Sequence, residues 1–157
     1  MEKIYSIFVD GSVNPQKKIG FGSYLFCDDI NHCDTTKIKS KLFEDTSSTK
    51  LELQTFIWAL KDINLKDKFI VYTDCQNILS LLSRKDKLQS NNYLTKTGKI
   101  VKNKELYKEF FLLYEKYDFE IIKVKGHKKS ERKDDIDKIF SLVDKYSRNM
   151  LRKELLK

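Results

Sequence analysis

The 157-residue chain carries 31 lysines and arginines against 23 aspartates and glutamates, a formal charge of +8 with a pI near 9.2. That length supports one domain burying roughly 70% of its unfolded surface, and no run approaches the ~18 apolar residues that a membrane span needs. The basic balance favours a polyanionic partner, nucleic acid first. The three cysteines, Cys27, Cys33 and Cys75, are odd in number and form no CxxC pair, so they indicate neither a disulfide framework nor a zinc site. With no signal-peptide pattern at the N-terminus, the expectation is a soluble chain in a reducing, cytoplasmic compartment.

In chain order, Ile4 to Ser12 reads Ile-Tyr-Ser-Ile-Phe-Val-Asp-Gly-Ser, an apolar run halted by the turn dipeptide Asp10-Gly11. It predicts a buried strand with a carboxylate at its exit. Taken alone, Asp10 need do no more than cap the strand end in an Asx turn. Ile19 to Phe26 predicts a second strand whose Gly20 and Gly22 share one face, where another backbone or a ligand can come close. Asn14-Pro15 marks the turn between the two. Alternation over Lys37 to Phe43 predicts a third strand, and the short connections suggest an antiparallel meander.

From Thr46 the period changes. Leu53, Phe56, Ile57 and Leu60 recur at helical spacing and predict a helix over about Ser48 to Asp62. Within it Thr49-Lys50-Leu51-Glu52 fits a capping box, which would make Glu52 structural. Phe69 to Thr73 is the next strand, ending in Asp74, itself a candidate N-cap for the helix of Ile78, Leu79, Leu81 and Leu82. Strand alternating with helix points to parallel pairing through right-handed crossovers. Arg84 to Lys104 carries seven basic residues (Arg84, Lys85, Lys87, Lys96, Lys99, Lys102, Lys104) against Asp86, and is expected to be a solvated basic excursion. Its Tyr93 either packs on the body or stacks on a base or sugar. Lys104 to Tyr117 is helical. Phe119 to Val124 is a fifth strand opening into Lys125-Gly126-His127-Lys128-Lys129. A last helix over about Lys133 to Leu155 has Ile136, Ile139, Phe140, Val143, Met150 and Leu151 on its inner stripe.

If the first and fourth strands are parallel neighbours, Asp10 and Asp74 share the sheet end where ligands bind in open α/β folds. Two carboxylates ~5 Å apart at an effective dielectric of ~20 repel by ~3 kcal/mol, so three or four together require protons or a cation. An oxygen-only donor set suits Mg²⁺ or Mn²⁺ rather than zinc.

Five motifs now stand in order. Val9-Asp10-Gly11-Ser12 with Asn14-Pro15 and Gly20-Phe21-Gly22, then Thr49-Lys50-Leu51-Glu52-Leu53, Tyr72-Thr73-Asp74-Cys75-Gln76, Val124-Lys125-Gly126-His127 and Asp144-Lys145-Tyr146-Ser147-Arg148 together resemble type 1 ribonuclease H over nearly the whole chain. The resemblance implies an α/β RNase H-like fold, a five-stranded mixed sheet with strands 1–3 antiparallel and strands 1, 4 and 5 parallel, flanked by helices. It implies one catalytic domain over residues 1–157, with the basic excursion at about 84–104 in place of the family's basic protrusion. No appended hybrid-binding domain is expected, since the first strand begins at the N-terminus.

The activity so implied is endonucleolytic hydrolysis of the RNA strand of RNA/DNA hybrids, leaving 3'-hydroxyl and 5'-phosphate ends, by a monomer. Asp10, Glu52, Asp74 and Asp144 would bind two Mg²⁺ ions, with Mn²⁺ a possible substitute, and His127 would assist proton transfer or product release. Asn14 and Gln76 would bond near the minor groove, where 2'-hydroxyls mark RNA, and Ser48 and Thr49 would hold a DNA phosphate. The family often has asparagines at these last two positions. The excursion lacks the family's tryptophans, so gripping of the hybrid there would rest on charge, Lys85 and Lys87 included. His127 and Asp144 lie 17 positions apart, further than in many bacterial members, and Asp134, Asp135 and Asp137 intervene. Asp137, two turns before Asp144 on nearly the same helix face, is the rival for the last metal position. Ser147-Arg148 and the neighbouring Phe140 and Val143 favour Asp144. An RNase H-like DNA nuclease, resolvase or exonuclease, and a non-catalytic nucleic-acid-binding module are the alternatives.

Overall fold

The computed structural model describes residues 3–124 and 134–157. Five strands, β1 (Tyr5–Asn14), β2 (Ile19–Cys27), β3 (Lys39–Glu44), β4 (Phe69–Thr73) and β5 (Phe119–Lys123), form one sheet in the order β3-β2-β1-β4-β5. β1 pairs antiparallel with β2 and β2 with β3, whereas β4 runs parallel to both β1 and β5. This is the mixed sheet that the sequence predicts.

The helices are α1 (Ser48–Ile63), α2 (Gln76–Leu81), α3 (Lys85–Ser90), α4 (Lys104–Lys116) and α5 (Asp135–Leu155). Strand alternation divides the core into two layers. Ile7 and Val9 of β1 point to the layer closed by Leu53, Phe56 and Leu60 of α1 and Phe110 of α4, while Phe8 points to Ile139, Phe140 and Val143 of α5.

β1 does not stop at Asp10-Gly11. Its ladder with β4 ends at Phe8↔Tyr72, but its ladder with β2 continues through Asp10↔Ser23 and Gly11↔Gly22 to Asn14↔Ile19. Asp10 therefore lies inside a strand yet just past the end of β4, and the turn expected there is overridden by a partner strand that supplies its hydrogen bonds. β3 starts two residues later than expected because Asp34 caps a 3-10 turn over Thr35–Lys37, its carboxylate accepting from Thr36 N at 3.0 Å. The expected excursion after α2 contains α3, and Tyr93 is buried in the main core, so it packs on the body.

The cysteines correct another expectation. Cys27 at the end of β2 and Cys33 six residues on are joined in a disulfide, with their Cα atoms 5.1 Å apart, and only Cys75 is free. The bridge ties the segment after β2 to the α5 side of the sheet, where Cys27 packs with Leu25 and Ile139. Among the described residues, no helix is long and apolar enough to cross a membrane.

Candidate metal centre and nucleic-acid face

The centre is assembled by a close helix-on-sheet approach. Gly20 and Gly22 of β2, with Gly11 of β1, lie under Leu51 and Thr55 of α1, and a Cβ at Gly22 would overlap the Thr55 side chain. The close approach anticipated at Gly20 and Gly22 is thus made by α1. It brings Glu52, between Leu51 and Thr55, to the sheet end where Asp10 emerges. Glu52 is not occupied by a capping box, because the N-cap is Ser47, whose hydroxyl accepts from Lys50 N at 3.4 Å. Nor is Asp74 the N-cap of α2. That position is Cys75, whose backbone N donates to Thr73 Oγ1 at 3.1 Å. Neither residue takes the capping position that the sequence allowed it.

Asp10, Glu52 and Asp74 each offer a carboxylate oxygen within 4.8 Å of the others, Asp10 buried, Glu52 partly buried and Asp74 exposed. Asp144 lies close enough to Asp10 and Glu52 to add its charge to the field at both. Desolvation first, then repulsion from Glu52, the proximity of Asp144 and the charge of Asp74 hold the Asp10 carboxyl well above the usual range. Desolvation followed by the charges of Asp74 and Asp144 pushes Glu52 up to about 8. Asp10 Oδ2 is buried with no hydrogen-bond partner among the described residues. An all-oxygen donor set with a buried, orphaned oxygen and mutually repelling charges fits a hard divalent cation.

The two acids of α5 have separate surroundings. Asp137 is the third residue of a capping box, where Asp137 N donates to Asp134 Oδ1 at 2.8 Å and Asp134 N donates to Asp137 Oδ2 at 3.3 Å. Asp144, about two turns on, meets Asp10 and pairs with Arg148 at 3.0 Å. One turn later, buried Ser147 donates to Ser23 of β2 at 2.7 Å, and Ser23 is the register partner of Asp10. This serine pair pins α5 at the height that keeps Asp144 beside Asp10. Sequence reasoning missed it, since the signal is a contact across 124 positions.

The other expected residues divide by surroundings. Asn14 closes the β1–β2 turn, its Oδ1 accepting from Lys17 N at 2.9 Å. Gln76 opens α2 two residues after Asp74, and its Oε1 accepts from Lys123 Nζ at 3.0 Å. Ser48 and Thr49 line a recess of about 450 Å³ shared with Thr95, Lys102, Asn103 and Tyr107, a meeting of α1 with the basic excursion that local patterns do not reveal. Lys85 faces the body, paired with Glu115 at 3.1 Å and lying over the Phe111 ring, whereas Lys87 is exposed. His127 lies outside the described residues.

The profile of the RNase H family matches residues 2–141. Among curated relatives, a ribonuclease H of Acetivibrio thermocellus is 32% identical over 143 residues, covering 88% of this chain and 92% of its own. One from Caldicellulosiruptor saccharolyticus is 27% identical over 148 residues, covering 93% and 94%. Among solved structures, the PFV RNase H domain in solution superposes with a TM-score of 0.76 at 15% identity, covering 95% of this chain and 94% of that one. A foamy viral protease-reverse transcriptase in complex with RNA/DNA hybrid gives 0.63 at 14%, covering 93% of this chain and 19% of that one. With the profile spanning nearly all of the chain and the carboxylates gathered at the end of β1 and β4, the chain belongs to the RNase H family.

Proposed function

We propose that this chain hydrolyses the RNA strand of RNA/DNA hybrids to 3'-hydroxyl and 5'-phosphate ends, with two divalent ions, Mg²⁺ or in its place Mn²⁺, held by Asp10, Glu52, Asp74 and Asp144. The observation that carries the reading is the orphaned, buried Asp10 oxygen within a carboxylate cluster that repels itself unless a cation is shared. When bound, such ions supply activation of a water nucleophile and stabilisation of the leaving 3'-oxygen.

The chain's own residues do the rest. Ser147 and Ser23 hold α5 so that Asp144 stays beside Asp10. The recess formed by Ser48, Thr49 and Lys102 suits a backbone phosphate of the DNA strand, and Lys87 adds positive charge to the same excursion. Asn14 and Gln76 address the minor groove, where the 2'-hydroxyl separates RNA from DNA. His127 takes the part of proton transfer or product release. The protein acts as a monomer, as a single catalytic domain.

Cleavage of a labelled RNA/DNA hybrid with Mg²⁺, beside duplex RNA, duplex DNA and single strands, tests this. Loss of the RNA strand alone, abolished by chelator and by Asp10→Asn, is expected. Cleavage of DNA instead would move the protein to a resolvase or exonuclease role, and tight binding without cleavage in Mg²⁺ or Mn²⁺ would make it a binding module.

A further inference from the structure

We propose that Lys123 is a positioning residue that locks the side-chain amide of Gln76 with both of its N–H donors turned toward the nucleic acid. The inference rests on the hybrid-cleaving reading above. Lys123 is the last residue of β5 and the parallel register partner of Thr73, the residue before Asp74. Gln76 is the first residue of α2, two positions after Asp74. One side chain comes from the end of β5 and the other from the start of α2, just after β4, with Lys123 Nζ donating to Gln76 Oε1 at 3.0 Å.

The chemistry of the pair settles the orientation of the amide. An ammonium has three donors and no acceptor, so it bonds the amide oxygen and never its nitrogen. A glutamine amide left alone presents donors or acceptors equally well by turning over. Fixed by Lys123, it presents only N–H groups on its outward side. Gln76 then reads acceptors, such as a ribose oxygen, pyrimidine O2 or purine N3 in the minor groove, and rejects donors. Lys123 is exposed, and its ammonium donates to the Gln76 amide oxygen.

The test is steady-state cleavage of an RNA/DNA hybrid in Mg²⁺ over a salt series, by the wild type, Lys123→Met, Lys123→Arg, Gln76→Ala, Gln76→Glu and the Gln76→Ala/Lys123→Met double variant. Lys123→Met should raise KM about fivefold, the scale of one hydrogen bond's net worth, with kcat held within about twofold. Lys123→Arg should restore KM. In the Gln76→Ala background Lys123→Met should have no further effect. Gln76→Glu, which keeps the bond to Lys123 but turns an acceptor outward, should be more damaging than Gln76→Ala. Independent, multiplying effects of the two substitutions, or a salt slope shallower by about one in Lys123→Met, would assign the ammonium directly to a phosphate and overturn the inference. A wild type that cleaves no hybrid would overturn the inference together with the functional reading, whereas multiplying effects in an active wild type overturn the inference alone.

Discussion

Replacing Glu52 by glutamine should stabilise the metal-free protein at alkaline pH, because the fold holds that carboxyl where its ionised form is disfavoured. Burial and the charges of Asp74 and Asp144 move Glu52 from 4.5 to about 8. A carboxyl with a raised folded value binds its proton more tightly folded than unfolded, so this contribution to stability is full below about pH 4.5 and is lost as pH rises through 8. At 1.36 kcal/mol per pH unit, that interval corresponds to about 5 kcal/mol. Solvent reaching a partly exposed side chain and relaxation of Asp74 absorb much of it, and about 2 kcal/mol remains as the expected gain of Glu52→Gln above pH 8. The assay is thermal unfolding in chelator at pH 5.5 and pH 8.5. The variant should melt roughly 4–8 °C above the wild type at pH 8.5 and close to it at pH 5.5. Added Mg²⁺ should raise the wild type at pH 8.5 more than the variant, since a ligand stabilises the state that binds it. Equal melting of the two proteins at pH 8.5 in chelator, or a wild type that gains stability between pH 5.5 and pH 8.5 relative to the variant, would refute the electrostatic account of the cluster.

Asp144→Asn should lower Mg²⁺-dependent hybrid cleavage by about 100-fold or more, while Asp137→Asn keeps it. Asp137→Ala, which removes half of the α5 capping box, should cost about 1 kcal/mol in a urea melt. Gly22→Ala should destabilise the protein by about 2 kcal/mol, because its Cβ overlaps Thr55. It should also reduce cleavage, since α1 cannot shift outward without carrying Glu52 away from Asp10.

The full five-strand sheet and its acidic end are what the family resemblance implies, whereas periodicity and order of elements were enough to place α1, β4, α4 and β5 within a residue or two and to point to an antiparallel meander followed by parallel pairing. Those signals are local, carried by side chains that repeat every two or every 3.6 residues along one element. Contacts between distant segments decided the rest. Asp10-Gly11 reads as a turn until β2 lies beside it and continues the ladder. Thr49 to Glu52 reads as a capping box until Ser47 takes the cap. Cys27 and Cys33 read as unpaired until the segment after β2 folds back. Asp137 and Asp144 share nearly the same direction on α5 and differ by about 10 Å along its axis. No property of the helix by itself chooses between them. Ser147 on Ser23 sets the height of α5 over the sheet, and that height puts Asp144 against Asp10 and leaves Asp137 to close the helix end.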